Sequence, residues 1–140
     1  GGGGGGVSSR PVVVVSARVH PGEVVSSWLM KGMLDFLCGG DRDAKKLRDK
    51  FVFKVAPMLN PDGVINGNYR CCLAGHDMNR RWGLPDPVKH ASIASLKEAI
   101  ARLNGLFGAD ASAGGDAASW PGRVVLFVDL HGHSRQRNLF

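Results

Sequence analysis

Cysteine, glutamate and long apolar runs are all scarce in this 140-residue chain, and each scarcity removes a class of protein. Three cysteines, two of them the adjacent Cys71 and Cys72, are too few and too poorly spaced for a disulfide scaffold or a Cys-x-x-Cys metal site. A bridge between neighbours would be strained. Reduced thiols fit a cytosolic or nuclear compartment. No run of about 18 apolar residues exists, so no membrane span is expected, and no signal peptide is read at the start. The formal net charge of +6 and pI near 9.7 favour an anionic partner. The basic residues are scattered, however, without a long Lys/Arg block or an aromatic ladder, so nucleic acid is not expected. Arg42–Lys50 reads as a solvated basic helix face.

Apolar periodicity divides the rest. Pro11 to Val19 carries Val12-Val13-Val14-Val15, a near-continuous apolar run suited to a strand covered on both faces. From Glu23 to Cys38 the spacing of Val25, Trp28/Leu29, Gly32/Met33 and Phe36/Leu37 predicts a helix, with Pro21 in its first turn and Gly39-Gly40 as its stop. Phe51 to Leu59 predicts a second buried strand, ended by the turn signal Asn60-Pro61-Asp62-Gly63. Ile93, Leu96, Ile100, Leu103 and Phe107 predict an amphipathic helix. Gly108–Gly122 reads as an exposed loop, and Arg123–Leu130 as a third strand. The order predicts an α/β fold, three layers of α/β/α around a mixed, mostly parallel sheet. Residues 1–10 read as a glycine-rich tail or linker, and 11–140 as part of one domain whose two ends look cut from something larger.

Ligands of such sheets bind beyond the carboxyl ends of the strands. Three motif-rich segments follow predicted strand ends: His20-Pro21-Gly22-Glu23, Asn60 to Arg81, and Asp129-Leu130-His131-Gly132-His133-Ser134. His20 and Glu23 can reach a common point above the sheet edge. A histidine from the last segment can complete a His/His/Glu set, which leaves a zinc ion one open position for water and so marks a catalytic site. If the strand continues, His131 and His133 share a side, one as ligand and the other as pocket wall or donor. Asp129 has the same parity and can orient a histidine. Arg70 and Arg80 in the intervening loop suit bidentate anion recognition, with Asn79 as a neutral donor beside Arg80, whereas Arg81 reads as a surface cation.

These motifs, with Asn60-Pro61-Asp62-Gly63-Val64, Gly67-Asn68-Tyr69-Arg70 and Asp77-Met78-Asn79-Arg80 between them, stand in the order found in zinc carboxypeptidases. The chain from about Pro11 to Phe140 resembles the cytosolic branch of that family, which includes tubulin deglutamylases. The resemblance implies a partial carboxypeptidase catalytic domain with one Zn2+, held by His20, Glu23 and His131. It implies that Asp77 orients the first histidine, that Asn79 and Arg80 hold the substrate's terminal carboxylate, and that Arg70 stabilises the oxyanion. Arg70 is then the catalytic residue among these, and His133 lines the substrate site. The implied activity is a metallocarboxypeptidase removing C-terminal or side-chain-linked residues, with glutamate of acidic tails such as tubulin's as the expected substrate. Its implied place is the cytoplasm, at microtubules or in the nucleus, with no nucleic-acid or membrane partner. The family's general-base glutamate follows the third zinc ligand by a longer stretch than this chain contains. No glutamate follows His131, and Glu98 reads as a solvated helix residue, so these 140 residues are expected to bind zinc without efficient turnover. An aspartoacylase-like zinc amidohydrolase, or a non-catalytic module binding zinc and acidic tails, are the rival readings.

Overall fold

The computed structural model describes residues 10–105 and 123–133. In chain order these form β1 (Val12–Ala17), α1 (Val24–Cys38), α2 (Arg42–Lys50), β2 (Val52–Ala56), α3 (Pro61–Ile65), a 3₁₀ turn (Met78–Arg80), α4 (Ala91–Leu103) and β3 (Val124–Leu130). The strands make one sheet in the order β2-β1-β3, parallel at both junctions. The expected α/β layering is present. The valine run is β1, the central strand, and every one of its residues is buried. β2 is only half-buried, not the fully buried strand its apolar content suggested, because among the described residues it pairs on one side alone.

Alternation along the strands sorts the core into two faces. On one, Val13, Val15 and Ala17 meet Met30, with Met33, Leu34, Phe53, Val55, Val128 and Leu130 packed around them. On the other side Val19, Leu59, Cys72 and Met78 gather around Ile93 of α4, flanked by Ala56, Trp82 and Leu96. Trp82 also packs edge-on against Phe127 with ring centroids 5.6 Å apart.

α1 turns a different stripe to the sheet than its apolar spacing indicated. Ser26, Met30 and Leu37 are buried, whereas Val25, Leu29 and Phe36 are exposed and Trp28 is 66% exposed. The reason lies at its first turn. Glu23, Ser26, Met30, Met33/Leu34 and Leu37 share one helical stripe, so the helix is phased by the residue that must point over the sheet edge, and a second apolar stripe is left outside.

Pro21 does not begin this helix. It lies three residues before α1, in the turn that carries His20 and Glu23. The proline that occupies a first helical position is Pro61: the Asn60-Pro61-Asp62-Gly63 turn signal opens α3, whose N-cap Asn60 accepts from the Gly63 N–H at 3.0 Å. α2 is capped in the same way by Asp41, and Lys46 and Lys45 pair with Asp43 and Asp49 on an exposed surface, as a solvated helix face does. The helix expected up to Phe107 is described to Leu103; Phe107 itself and the loop 108–122 lie outside the described residues, as does the tail 1–9.

A histidine pair, with His90 buried and His76 half-buried, joins the long loop to α4. The Nδ1 of His90 accepts from the Asp86 N–H at 3.0 Å, so its proton must sit on Nε2, which donates to Nδ1 of His76 at 2.8 Å. Both rings are therefore neutral in this arrangement. Burial, then the nearby His76 and Arg81, push the His90 pKa below its ordinary 6.5. A depressed histidine pKa stabilises the fold fully above 6.5, and that contribution is lost as the pH falls below 6.5 through the folded value. The expected outcome is that wild type exceeds His90→Gln in urea midpoint at about pH 7.5 and that the gap narrows toward about pH 5.5. A gap that widens on acidification would contradict the neutral pair.

Candidate metal centre

The local sequence bends β1 into the site in four residues. Arg18 adopts φ 57°, the one positive φ outside glycine among the described residues. Such a backbone costs roughly 1–3 kcal/mol and persists only where its surroundings enforce it. Here its guanidinium does so, donating from Nε to the Pro21 carbonyl at 2.7 Å and from Nη1 to Ser27 Oγ at 2.7 Å. Asn60, 2% exposed, ties α3 to the same bend by donating to the Val19 carbonyl at 3.2 Å. Gly22 then lets the loop close in: its N–H donates to the Tyr69 carbonyl at 2.7 Å, and a Cβ there would lie 2.8 Å from that oxygen.

The result brings His20, Glu23 and His131 together, with one ligand atom of each within 4.8 Å of the others, a grouping that could hold a metal ion. Glu23 lies between the two rings. Its Oε1 is 2.8 Å from His20 Nδ1, and its Oε2 is 3.0 Å from His131 Nδ1 and accepts the Gly132 N–H at 2.8 Å. Behind the rings stand two more carboxylates. Asp77 Oδ1 is 3.0 Å from His20 Nε2, and Asp129 Oδ2 is 2.7 Å from His131 Nε2. Burial raises the Glu23 pKa, but the Gly132 N–H and the charges of His20 and His131 outweigh it and leave the carboxyl below 4.5. Asp77 is likewise held below 3.8, with burial opposed by His20 and Arg70. His131 is raised above 6.5, by its hydrogen bond to Asp129 first and despite burial.

The donor chemistry fits a divalent cation. A neutral imidazole has one N–H, yet each ring faces a carboxylate oxygen with both nitrogens. With a cation bound, each ring would keep its Nε2–H for Asp77 or Asp129 and offer its Nδ1 lone pair to the ion, with Glu23 as the third donor. Imidazoles backed by carboxylates in this way are the usual metal-ligating arrangement. His20 is 4% exposed and His131 23%, so the group is walled on the β1 side and open on the β3 side.

The remaining expected site residues are placed less tightly. Arg70 donates from Nε and Nη2 to the same Asp77 oxygen at 2.8 and 2.7 Å, with nearly half its side chain exposed. Asn79 is in the 3₁₀ turn, its side-chain oxygen accepting from Trp82 Nε1 at 2.9 Å, and Arg80 beside it is exposed. His133 is exposed, and because β3 ends at Leu130 the strand parity that paired it with His131 does not extend to it. Arg18, Ser16 and the Gly132 N–H were not legible as site elements. A positive φ on arginine has no sequence signal, and a backbone donor has no residue type.

The zinc carboxypeptidase family description matches residues 3–138. Cytosolic carboxypeptidase 1 of Danio rerio is 47% identical over 133 residues, 94% of this chain and 10% of that protein. Cytosolic carboxypeptidase 3 of Mus musculus is 47% identical over 133 residues, 95% of this chain and 12% of that protein. The crystal structure of a metallo-carboxypeptidase from Burkholderia cenocepacia superposes with a TM-score of 0.71 at 30% identity, over 90% of this chain and 30% of the other. The parallel α/β backbone is thus shared with a solved metallo-carboxypeptidase, and this chain belongs to the zinc carboxypeptidase family. It spans about a tenth of the length of the cytosolic carboxypeptidases it matches. No helix among the described residues is long and apolar enough to cross a membrane.

Gly22→Ala tests the close approach of loop and turn. The added Cβ would also fall 2.5 Å from Tyr69 Cδ2, so the Gly22–Tyr69 hydrogen bond must break or the loop must move. A loss of about 1–3 kcal/mol in urea denaturation is expected, and an unchanged midpoint would show that the two segments are not packed as described.

Proposed function

We propose that this chain is the metal-binding part of a zinc-dependent carboxypeptidase, with His20, Glu23 and His131 as the ligands of one Zn2+. The observation that carries the reading is the three-donor group with a carboxylate behind each imidazole. When bound in such a set, zinc supplies Lewis-acid polarisation of a carbonyl and lowers the pKa of a water toward neutrality. The protein residues do the rest. Asp77 and Asp129 keep the Nε2 protons of the two imidazoles and turn both Nδ1 lone pairs inward. Glu23 contributes charge, and its Oε2 is anchored by the Gly132 N–H. Arg70, exposed at the mouth and carrying charge, suits the oxyanion of a tetrahedral intermediate, where one donor is worth roughly 3 kcal/mol of barrier.

Asn79 and Arg80 stand on the next turn as the pair for a terminal carboxylate, which would make the enzyme an exopeptidase, and His133 lines the open side. The substrate we favour is glutamate at the end, or on the side chain, of an acidic protein tail such as tubulin's. Net charge +6 supports an anionic tail, and the similar animal proteins named cytosolic carboxypeptidases support a cytoplasmic setting.

Metal analysis of the chain after equilibration with zinc is expected to give about one ion per molecule, with His20→Ala and His131→Ala losing it; equal zinc content in all three would remove the ligand assignment. In the full-length protein that carries this segment, Arg70→Ala is expected to lower kcat by about 10²–10³ on a peptide ending in glutamate. Faster release of a C-terminal lysine or leucine than of glutamate by the unmodified enzyme would overturn the acidic preference.

A further inference from the structure

We propose that Ser16 is a positioning residue for the metal centre, acting through Asp129 on His131; the inference rests on the ligand set proposed above. Ser16 is the penultimate residue of β1 and is 0% exposed, an unusual place for a hydroxyl in a strand otherwise built of valine and alanine. The sheet register sets it opposite Asp129 of β3. Its Oγ lies 2.7 Å from Asp129 Oδ1, and an ionised carboxylate only accepts, so the serine proton points at Asp129. The other oxygen, Oδ2, lies 2.7 Å from His131 Nε2. The relay is therefore serine hydroxyl, carboxylate, imidazole, with each carboxylate oxygen assigned to one partner.

That assignment has a physical effect. A carboxylate held by a single hydrogen bond can turn about its χ2 and offer either oxygen. Pinning Oδ1 to the strand fixes the plane of the carboxylate, and with it the direction in which the His131 ring must lie to keep its own bond. The companion histidine is served differently. Asp77 is held by the Arg70 guanidinium on Oδ2 and by the Asn79 N–H on Oδ1 at 2.9 Å, both from the loop. Ser16 performs the same fixing for His131 from the centre of the sheet. It does so without charge, so it does not compete with the imidazole for the Asp129 charge. A buried serine that merely filled space would have no need of this partner, and alanine would pack as well.

The test is the zinc dissociation constant of the chain, measured by competition with a chromophoric chelator. Ser16→Ala is expected to weaken zinc binding by about 10-fold, the low end of what outer partners of metal ligands contribute. Asp129→Asn is expected to cost about 10- to 100-fold. Adding Ser16→Ala to Asp129→Asn is expected to change little further, since the hydroxyl acts only through that carboxylate. Ser16→Thr and Ser16→Val have the same shape and differ in the hydroxyl alone, so zinc binding that is tight in the threonine variant and weak in the valine variant supports the role even if alanine perturbs folding. Equal zinc affinity of the Thr and Val variants, or an undiminished Ser16→Ala effect in the Asp129→Asn background, would overturn it. Failure of the wild-type chain to take up zinc would overturn both this inference and the ligand assignment, whereas wild-type uptake with no hydroxyl dependence would overturn this inference alone.

Discussion

Everything in the site depends on one carboxylate serving two imidazoles. Glu23 stands between His20 and His131 with one oxygen toward each ring, and the Gly132 N–H fixes the second oxygen from behind. The residues come from three places: the exit of the central strand, the start of α1 and the exit of β3. None of these could shift by an ångström without lengthening a contact of 2.8–3.0 Å. That meeting requires the phase of α1, the positive φ of Arg18 and the order of strands in the sheet. They are the conditions under which one side chain can reach both rings.

Element type was legible because it follows from local rules. A valine run, a three-and-four apolar spacing and a polar stretch between glycine and phenylalanine each specify their own structure and appear as strand, helix and helix, whereas the Asn60-Pro61-Asp62-Gly63 turn signal turned out to open a short helix. The face of α1 was not legible, because the helix is apolar around more than one side and only a tertiary requirement, the reach of Glu23, chooses between stripes. Pro21 misled for a similar reason. A proline three residues before a helix and a proline at its first position look alike in sequence, and the difference is set by the Arg18 guanidinium donating to the Pro21 carbonyl and by the Gly22 N–H donating to the distant Tyr69 carbonyl.

The candidate site was legible to the extent that side chains alone define it. His20, Glu23, His131, Asp77 and Asp129 converge, and Arg70 reaches the group through Asp77. His133 illustrates the limit: its role was tied to a strand continuing past Leu130, and strand ends are where sequence pattern is weakest. What pattern reading passed over is the support. Ser16 is one small residue in an apolar run, and the neutral His76–His90 clasp is formed by residues 14 positions apart that no motif connects.

Glu23 is also the N-cap residue of α1, and its side chain makes no capping hydrogen bond there. Backbone carbonyls serve the first turn instead, Gly22 accepting from the Val24 N–H at 3.0 Å and Glu23 from the Ser26 N–H at 3.1 Å. The side-chain oxygen that serine, threonine, aspartate or asparagine would add is worth about 1 kcal/mol at an ordinary helix start. Position 23 thus has two competing occupants, one that would make the helix sturdier and one that lets the site exist. A short capping side chain at position 23 would add to the stability of the fold while removing the carboxylate that joins His20 and His131. Glu23 stands at a helix start that it does not cap and gives its two oxygens instead to His20, His131 and the Gly132 N–H.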